Sequence, residues 1–132
     1  MILVFVERRD GQPDIPSLQT LSFARTLAAQ TADSIEAVAF GPDSMADMLR
    51  DYGVSKYHSI TDDQLMDYAS EAWAVSLKQL TDLISPKVLL APGSIKGNEV
   101  MAYVGALSTL SVVTNVCSVW RQVVYSRIRS PP

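Results

Sequence analysis

Cysteine is nearly missing from this chain: Cys117 is the one cysteine and His58 the one histidine in 132 residues. A single cysteine builds no internal disulfide framework and fits a reducing compartment. One Cys and one His, far apart in sequence, leave no ligand set for a zinc site. Basic charge is also scarce: 11 Lys and Arg stand against 14 Asp and Glu, for a net charge of −3. Nucleic acid needs a basic face for its phosphates, so it is excluded as a partner. The one basic cluster, Arg121, Arg127 and Arg129, reads as a solvated tail or a contact with another protein. No apolar run approaches the roughly 18 residues of a membrane span. The opening "MILVFVERRD" lacks the basic leader of a signal peptide and reads as a first strand. These absences point to a cytoplasmic protein. Apolar content of 48% and charge of 19% are ordinary for a soluble globular domain, and the length suits one domain, residues 1–132, better than two.

What is present is an alternation of two periods. "ILVFVE" (Ile2–Glu7) is a continuous apolar run up to its closing glutamate, rich in β-branched residues, as expected for a strand buried on both faces. "GQPDIPS" reads as a loop. Ser17 is the expected N-cap of a helix carrying Leu18, Leu21, Ala24, Leu27 and Ala28. "SIEAVAFG" (Ser34–Gly41) is a second strand ending in glycine. Asp43 or Ser44 caps a short helix with Met45, Met48, Leu49 and Tyr52 as its stripe, and Gly53 stops it. "KYHSIT" (Lys56–Thr61) is a third strand, polar enough for a sheet edge. A long helix is expected from about Asp63 to Ile84, with Met66, Ala69, Trp73, Leu77, Leu80 and Ile84 on one face, and Pro86 bars its continuation. "KVLLAPG" (Lys87–Gly93) is a fourth strand. Val100, Tyr103, Val104 and Leu107 mark the helix after it. Leu110–Val119 and Trp120–Ile128 complete the series as fifth and sixth strands.

Strands alternating with helices define an α/β fold: a three-layer, doubly wound, mostly parallel sheet of the Rossmann-like kind. Right-handed crossovers and the long third helix favour strand order 3-2-1-4-5 plus a C-terminal edge strand. The switch point then falls between strands 1 and 4, where ligands of open α/β sheets bind. Val6, Glu7 and Arg8 line one side of that crevice and Pro92 to Lys96 the other. The candidate binding residues are Glu7, Gly41, Gly93, Ser94, Lys96 and Gly97. The stretch "APGSIKGNE" places a glycine turn before a helix start, the general arrangement of a phosphate cradle. Its order matches neither G-x-x-x-x-G-K-[ST] nor G-x-G-x-x-G, because Lys96 precedes Gly97 and Asn98 follows. The competing reading is structural: Gly93 permits a tight turn and Gly97 lets the helix begin close to the sheet. Paired Asp62 and Asp63 read as helix caps. Ser111 and Ser118 have no base in reach, since the lone histidine sits on the expected edge strand. No catalytic constellation is assembled.

Several segments together resemble the N-terminal domain of the electron-transfer flavoprotein alpha subunit. "ILVFVERRDGQ" resembles its opening strand, with Ala24–Arg25 in the helix that follows. "AFGPDSMADMLRDYGVSKYHSI" resembles its second strand, short helix, Y-G turn and third strand. "PKVLLAPGSIKGNEVMAYVGALSTLSVVTNV" resembles the strand, small-residue turn, G-[KR]-[DE] helix start and V-T-D strand of that family, here Gly97-Asn98-Glu99 and Val113-Thr114-Asn115. "VWRQVVYSRIRSP" resembles the R-P-x-Y strand beyond it. Asn98 and Asn115 each replace a residue that is charged in the family pattern. The resemblance implies a place in electron transfer, assembled with a beta-like subunit or an FAD domain. It also implies that FAD belongs to the assembled complex and not to this chain alone, because most of the FAD site lies in a further domain beyond the counterpart of Pro132. A stand-alone module of the same superfamily, related to the adenine nucleotide alpha hydrolases, would instead hold AMP or ATP in the crevice. An exposed sixth strand without its usual neighbour favours a homo-oligomer.

Overall fold

A computed structural model describes residues 1–42, 44–62 and 67–108. The expected fifth and sixth strands, Cys117 and the C-terminal arginines lie outside the described residues. Four parallel strands, β1 (Ile2–Phe5), β4 (Ile35–Phe40), β5 (Val54–Ile60) and β6 (Val88–Leu90), form one sheet in the order β5-β4-β1-β6. This is the expected 3-2-1-4 order over the described strands. β1 pairs with β4 from Ile2↔Ile35 to Phe5↔Val38 and with β6 from Ile2↔Val88 to Val4↔Leu90. The switch point therefore lies between β1 and β6, as the sequence implied.

Side-chain alternation divides the core into two layers. Ile2, Val4 and Val6 of the first strand segment and Ile35, Ala37 and Ala39 of β4 pack against Leu21, Ala24, Leu27 and Ala28 of α1 (Ile15–Thr31), with Met45 and Leu49 at α2 (Ala46–Arg50). Leu3 and Phe5, with Val38 and Phe40, face Ala74 and Leu77 of α3 (Ser70–Ile84) and Val100 and Val104 of α4 (Ile95–Ser108). Helices thus cover both faces, which is why β1 is apolar at every position. On the second face Trp73 stacks on Phe40 with centroids 4.1 Å apart and planes 10° from parallel. Phe5 meets both rings edge-on.

Several boundaries differ from expectation. The "GQPDIPS" loop contains a strand: β2 (Arg8–Arg9) and β3 (Gln12–Pro13) form a hairpin. Asp10 and Gly11 turn it with φ of 54° and 77°, and Asp-Gly is a favoured pair for a two-residue turn needing positive φ twice. Asp14, not Ser17, caps α1: its Oδ1 accepts the Ser17 N–H at 2.9 Å. Pro16 in the first turn needs no N–H there. Asp43 lies outside the described residues, while the Ser44 hydroxyl oxygen accepts the Ala46 N–H at 3.2 Å. Met48, Tyr103 and Leu107, expected on buried stripes, are exposed.

Helix α3 begins at Ser70, later than expected; residues 63–66 are outside the described set, and Ala69 is extended (φ −143°) and exposed rather than part of the stripe. The non-helical stretch before it carries Tyr68 edge-on against Trp73. At the other end Ser85 adopts a left-handed conformation (φ 49°) and donates its N–H to Thr81, with Pro86 next. β6 stops at Leu90 instead of Gly93, since Pro92 has no N–H to continue the ladder. No helix among the described residues is long and apolar enough to cross a membrane.

Candidate functional site

The C-terminal ends of the four strands gather the six candidate residues into two groups. The first spans the β1–β6 crevice. Glu7 leaves β1 with its backbone held at both ends: its N–H donates to Ser17 Oγ at 2.8 Å, and its carbonyl accepts the Asp14 N–H at 3.0 Å. Ser17 is wholly buried, so the hydroxyl is committed to this bond. Across the crevice Ser94 acts as the cap of α4. Its hydroxyl oxygen accepts the Gly97 N–H at 2.9 Å, and its carbonyl accepts the Asn98 N–H at 2.9 Å. The same hydroxyl donates to Glu7 Oε1 at 2.5 Å, closing the crevice between the two strands.

Gly97 is at the closest approach of helix to strand. A Cβ there would overlap the Pro92 carbonyl oxygen. Gly93 differs: its φ is not positive and a Cβ would meet nothing within 4 Å. Of the two structural roles proposed for this turn, close approach at Gly97 is realised, whereas the backbone at Gly93 requires no glycine.

The electrostatics of the crevice are acidic. Burial raises the Glu7 carboxyl above its ordinary value; the Ser94 hydrogen bond opposes this, Asp14 adds to it, and Lys96 lowers it. Lys96 itself lies over the Tyr68 ring, its Nζ 5.0 Å from the centroid. Tyr68 Oη donates to Glu99 Oε2 at 2.9 Å, and burial together with Glu99 raises the phenol above its usual value. The N-terminus of α4 therefore already has a carboxylate beside its cap. Its first-turn amides at Gly97 and Asn98 are occupied by Ser94.

The second group sits at the ends of β4 and β5. Arg8, expected to line the crevice beside Glu7, points the other way. Its Nε donates to the Phe40 carbonyl at 2.8 Å, and Nη2 donates to the Gly41 carbonyl at 3.3 Å and to Tyr57 Oη at 3.0 Å. The two residues part where the chain leaves β1 for the β2–β3 hairpin: Glu7 faces Ser94, while Arg8, on β2, reaches the end of β4. Gly41 has φ 119°, and a Cβ there would lie 2.9 Å from Arg8 Nε. Gly41 thus makes room for the guanidinium, whose Nη1 is buried without a hydrogen-bond partner among the described residues. His58 is engaged elsewhere, with Nε2 2.7 Å from Glu36 Oε1. No group of His, Cys, Asp and Glu among the described residues could hold a metal ion.

Sequence reasoning brought Glu7, Ser94, Lys96 and Gly97 to one crevice, gave Ser17 only the role of a helix cap, and did not place Asp14, Tyr68 and Glu99 beside it. Asp14-x-x-Ser17 carried a readable signal, a capping residue ahead of a proline in the first turn. Tyr68 carried none, because its place depends on where α3 begins.

Fold and site together define a doubly wound parallel α/β domain whose switch-point crevice is crossed by its own side chains. The family model of the electron transfer flavoprotein domain matches residues 2–127, and the chain belongs to that family. Two proteins named FixB are similar to it. Protein FixB of Azorhizobium caulinodans is 26% identical over 122 residues, covering 89% of this chain and 33% of that protein. Protein FixB of Bradyrhizobium diazoefficiens is 28% identical over 114 residues, covering 82% and 31% respectively. The chain thus spans about a third of the length of these curated relatives.

Proposed function

We propose that this domain serves electron transfer as an alpha-subunit-type component of an electron transfer flavoprotein. It assembles with a beta-like subunit or with an FAD-bearing domain. Flavin performs the redox chemistry, and the protein contributes binding, orientation and electrostatics. The observation that carries the reading is the family match across residues 2–127, in a chain that spans only about a third of its relatives. The crevice supports a structural role for this domain. Ser94 and Glu7 use the N-terminus of α4 to tie β6 to β1, where a nucleotide-binding domain would offer those groups to phosphate. The single cysteine suits a cytoplasmic setting.

On this reading the purified chain is colourless and acquires no stoichiometric flavin when incubated with FAD. Mixed with a beta-like electron transfer flavoprotein subunit and the FAD-bearing domain, it co-elutes with them. A full complement of visible flavin absorbance on the chain alone would overturn the assignment of FAD to the assembled complex.

A further inference from the structure

We propose that Glu7 is the residue that bars phosphate-bearing ligands from the switch-point crevice, its carboxylate serving as a built-in occupant beside the N-terminus of α4. The inference concerns the crevice alone and does not depend on which partner the domain assembles with.

Three observations carry it. The Glu7 carboxylate accepts the Ser94 hydroxyl across the crevice at 2.5 Å, so it stands beside the helix start where an incoming anion would have to come. The cap itself is saturated: Ser94 Oγ and its carbonyl oxygen take the Gly97 and Asn98 N–H groups, and both of these are donors that a phosphate would need. The approach of helix and strand is also tight, since any Cβ at Gly97 would overlap the Pro92 carbonyl oxygen, so the turn cannot readily widen around a ligand while those bonds persist.

Charge points the same way. Asp14 acts on Glu7 from the start of α1, and Glu99 lies on α4 with its carboxylate on Tyr68. The Lys96 cation acts on Glu7 in the opposite sense, but it lies over the Tyr68 ring. A phosphate entering here would meet a carboxylate hydrogen-bonded to the capping serine of α4, in a partly buried setting where like charges repel more strongly than in water.

The test uses the full chain, with inorganic phosphate and AMP as separate probes. Binding is read by calorimetry and by the backbone amide resonances of Ile95, Lys96 and Gly97. Glu7→Gln keeps the shape and an acceptor for Ser94 while removing the charge. Glu7→Lys reverses the charge. Ser94→Ala removes the link but leaves the carboxylate. Wild type and Ser94→Ala are expected to show no binding at millimolar ligand. Because Ser94 Oγ still takes the Gly97 N–H in the Glu7 single variants, the gain is read in Glu7→Gln/Ser94→Ala, which should bind at least about tenfold more tightly than Ser94→Ala, and in Glu7→Lys/Ser94→Ala, which should bind more tightly still, with shifts confined to the α4 amides; tenfold corresponds to about 1.4 kcal/mol. Gain with phosphate as well as AMP assigns the effect to the phosphate group, whereas gain with AMP alone, without movement of the α4 amides, overturns the proposal. Wild-type binding as tight as that of the variants overturns it. So does a Glu7→Gln/Ser94→Ala or Glu7→Lys/Ser94→Ala chain that is folded by far-UV circular dichroism and binds neither probe. None of these results alters co-elution with a beta-like subunit, so the crevice inference and the assembly reading fail separately.

Discussion

The two glycines of "PGSIKG" make opposite predictions for the same substitution. In Gly97→Ala the new methyl group falls on the Pro92 carbonyl oxygen, with Ser94 Oγ at 3.1 Å as the next contact. Neither neighbour is the far end of a flexible chain: one is backbone and the other is pinned between Gly97 N–H and Glu7. The clash is relieved only by moving α4 away from the end of β6. That movement breaks the serine cap, worth about 1 kcal/mol, and the hydrogen bond to Glu7, worth about 1 kcal/mol at a half-exposed site. It also disturbs the packing of Val100 and Val104 against the sheet, and overpacking of this kind costs about 1–3 kcal/mol. Alanine's better helix propensity returns about 1 kcal/mol. The net loss is about 2–4 kcal/mol. At Gly93 the φ is not positive and the space is open, so Gly93→Ala is neutral or stabilising by up to about 1 kcal/mol. Urea unfolding followed by far-UV circular dichroism measures both variants. A Gly97→Ala chain as stable as wild type would refute the claim that helix and strand meet at this glycine.

Other expectations follow from the rest of the fold. Trp73 contacts the rings of Phe5, Phe40 and Tyr68, so Trp73→Ala should cost about 3–4 kcal/mol in urea unfolding. A loss below about 1 kcal/mol would mean that the aromatic layer adds little to stability. Asp33 accepts from the Met1 amino group at 3.0 Å and pairs with Lys87 at 3.1 Å, and these contacts, with a hydrogen bond from Thr31 leading, hold its carboxyl well below the usual range. A depressed carboxyl contributes stability above its unfolded pKa and loses it as pH falls through the folded value. Asp33→Asn should therefore be less stable than wild type at neutral pH, with the gap closing on the acid side of about pH 4; a constant gap down to strong acid would contradict the assignment. For Glu7 the sign is opposite, since burial raises it: its contribution is present at low pH and lost as pH rises through the folded value. Glu7→Gln should then flatten the decline in stability from mildly acidic to neutral pH, and an unchanged pH profile would count against a strained carboxylate.

Much of the architecture was legible in the sequence because it depends on periodicity. Ile2 to Val6 are buried without a break, which only a central strand covered on both faces explains, and the two periods placed β1, β4, β5 and β6 in their observed order. The position of the crevice followed from that order alone. Local chemistry was harder to read. Ser17 has the side chain of a helix cap, yet Asp14 takes that role and frees Ser17 to hold the Glu7 N–H. That choice depends on where Pro16 must sit in the first turn. Glu7 and Arg8 are neighbours in sequence and part company in space because the chain leaves β1 before them and turns into the β2–β3 hairpin, which carries Arg8 to the end of β4. Met48, Tyr103 and Leu107 fit helical stripes, but the exposed edge of each stripe cannot be told from its centre by spacing. The Tyr68–Glu99 contact joins residues 31 apart, one in the stretch ahead of α3 and one on α4, and nothing local announces it.

The central claim is that this chain is an electron transfer flavoprotein domain that acts in an assembly. The direct measurement is sedimentation velocity monitored in the visible, on this chain mixed with a beta-like electron transfer flavoprotein subunit and the FAD-bearing domain. The account predicts that this chain sediments without flavin absorbance when alone and enters a single, larger, flavin-absorbing species when its partners are present. A chain that carries stoichiometric flavin by itself, or that remains a separate colourless species in the mixture, would contradict it.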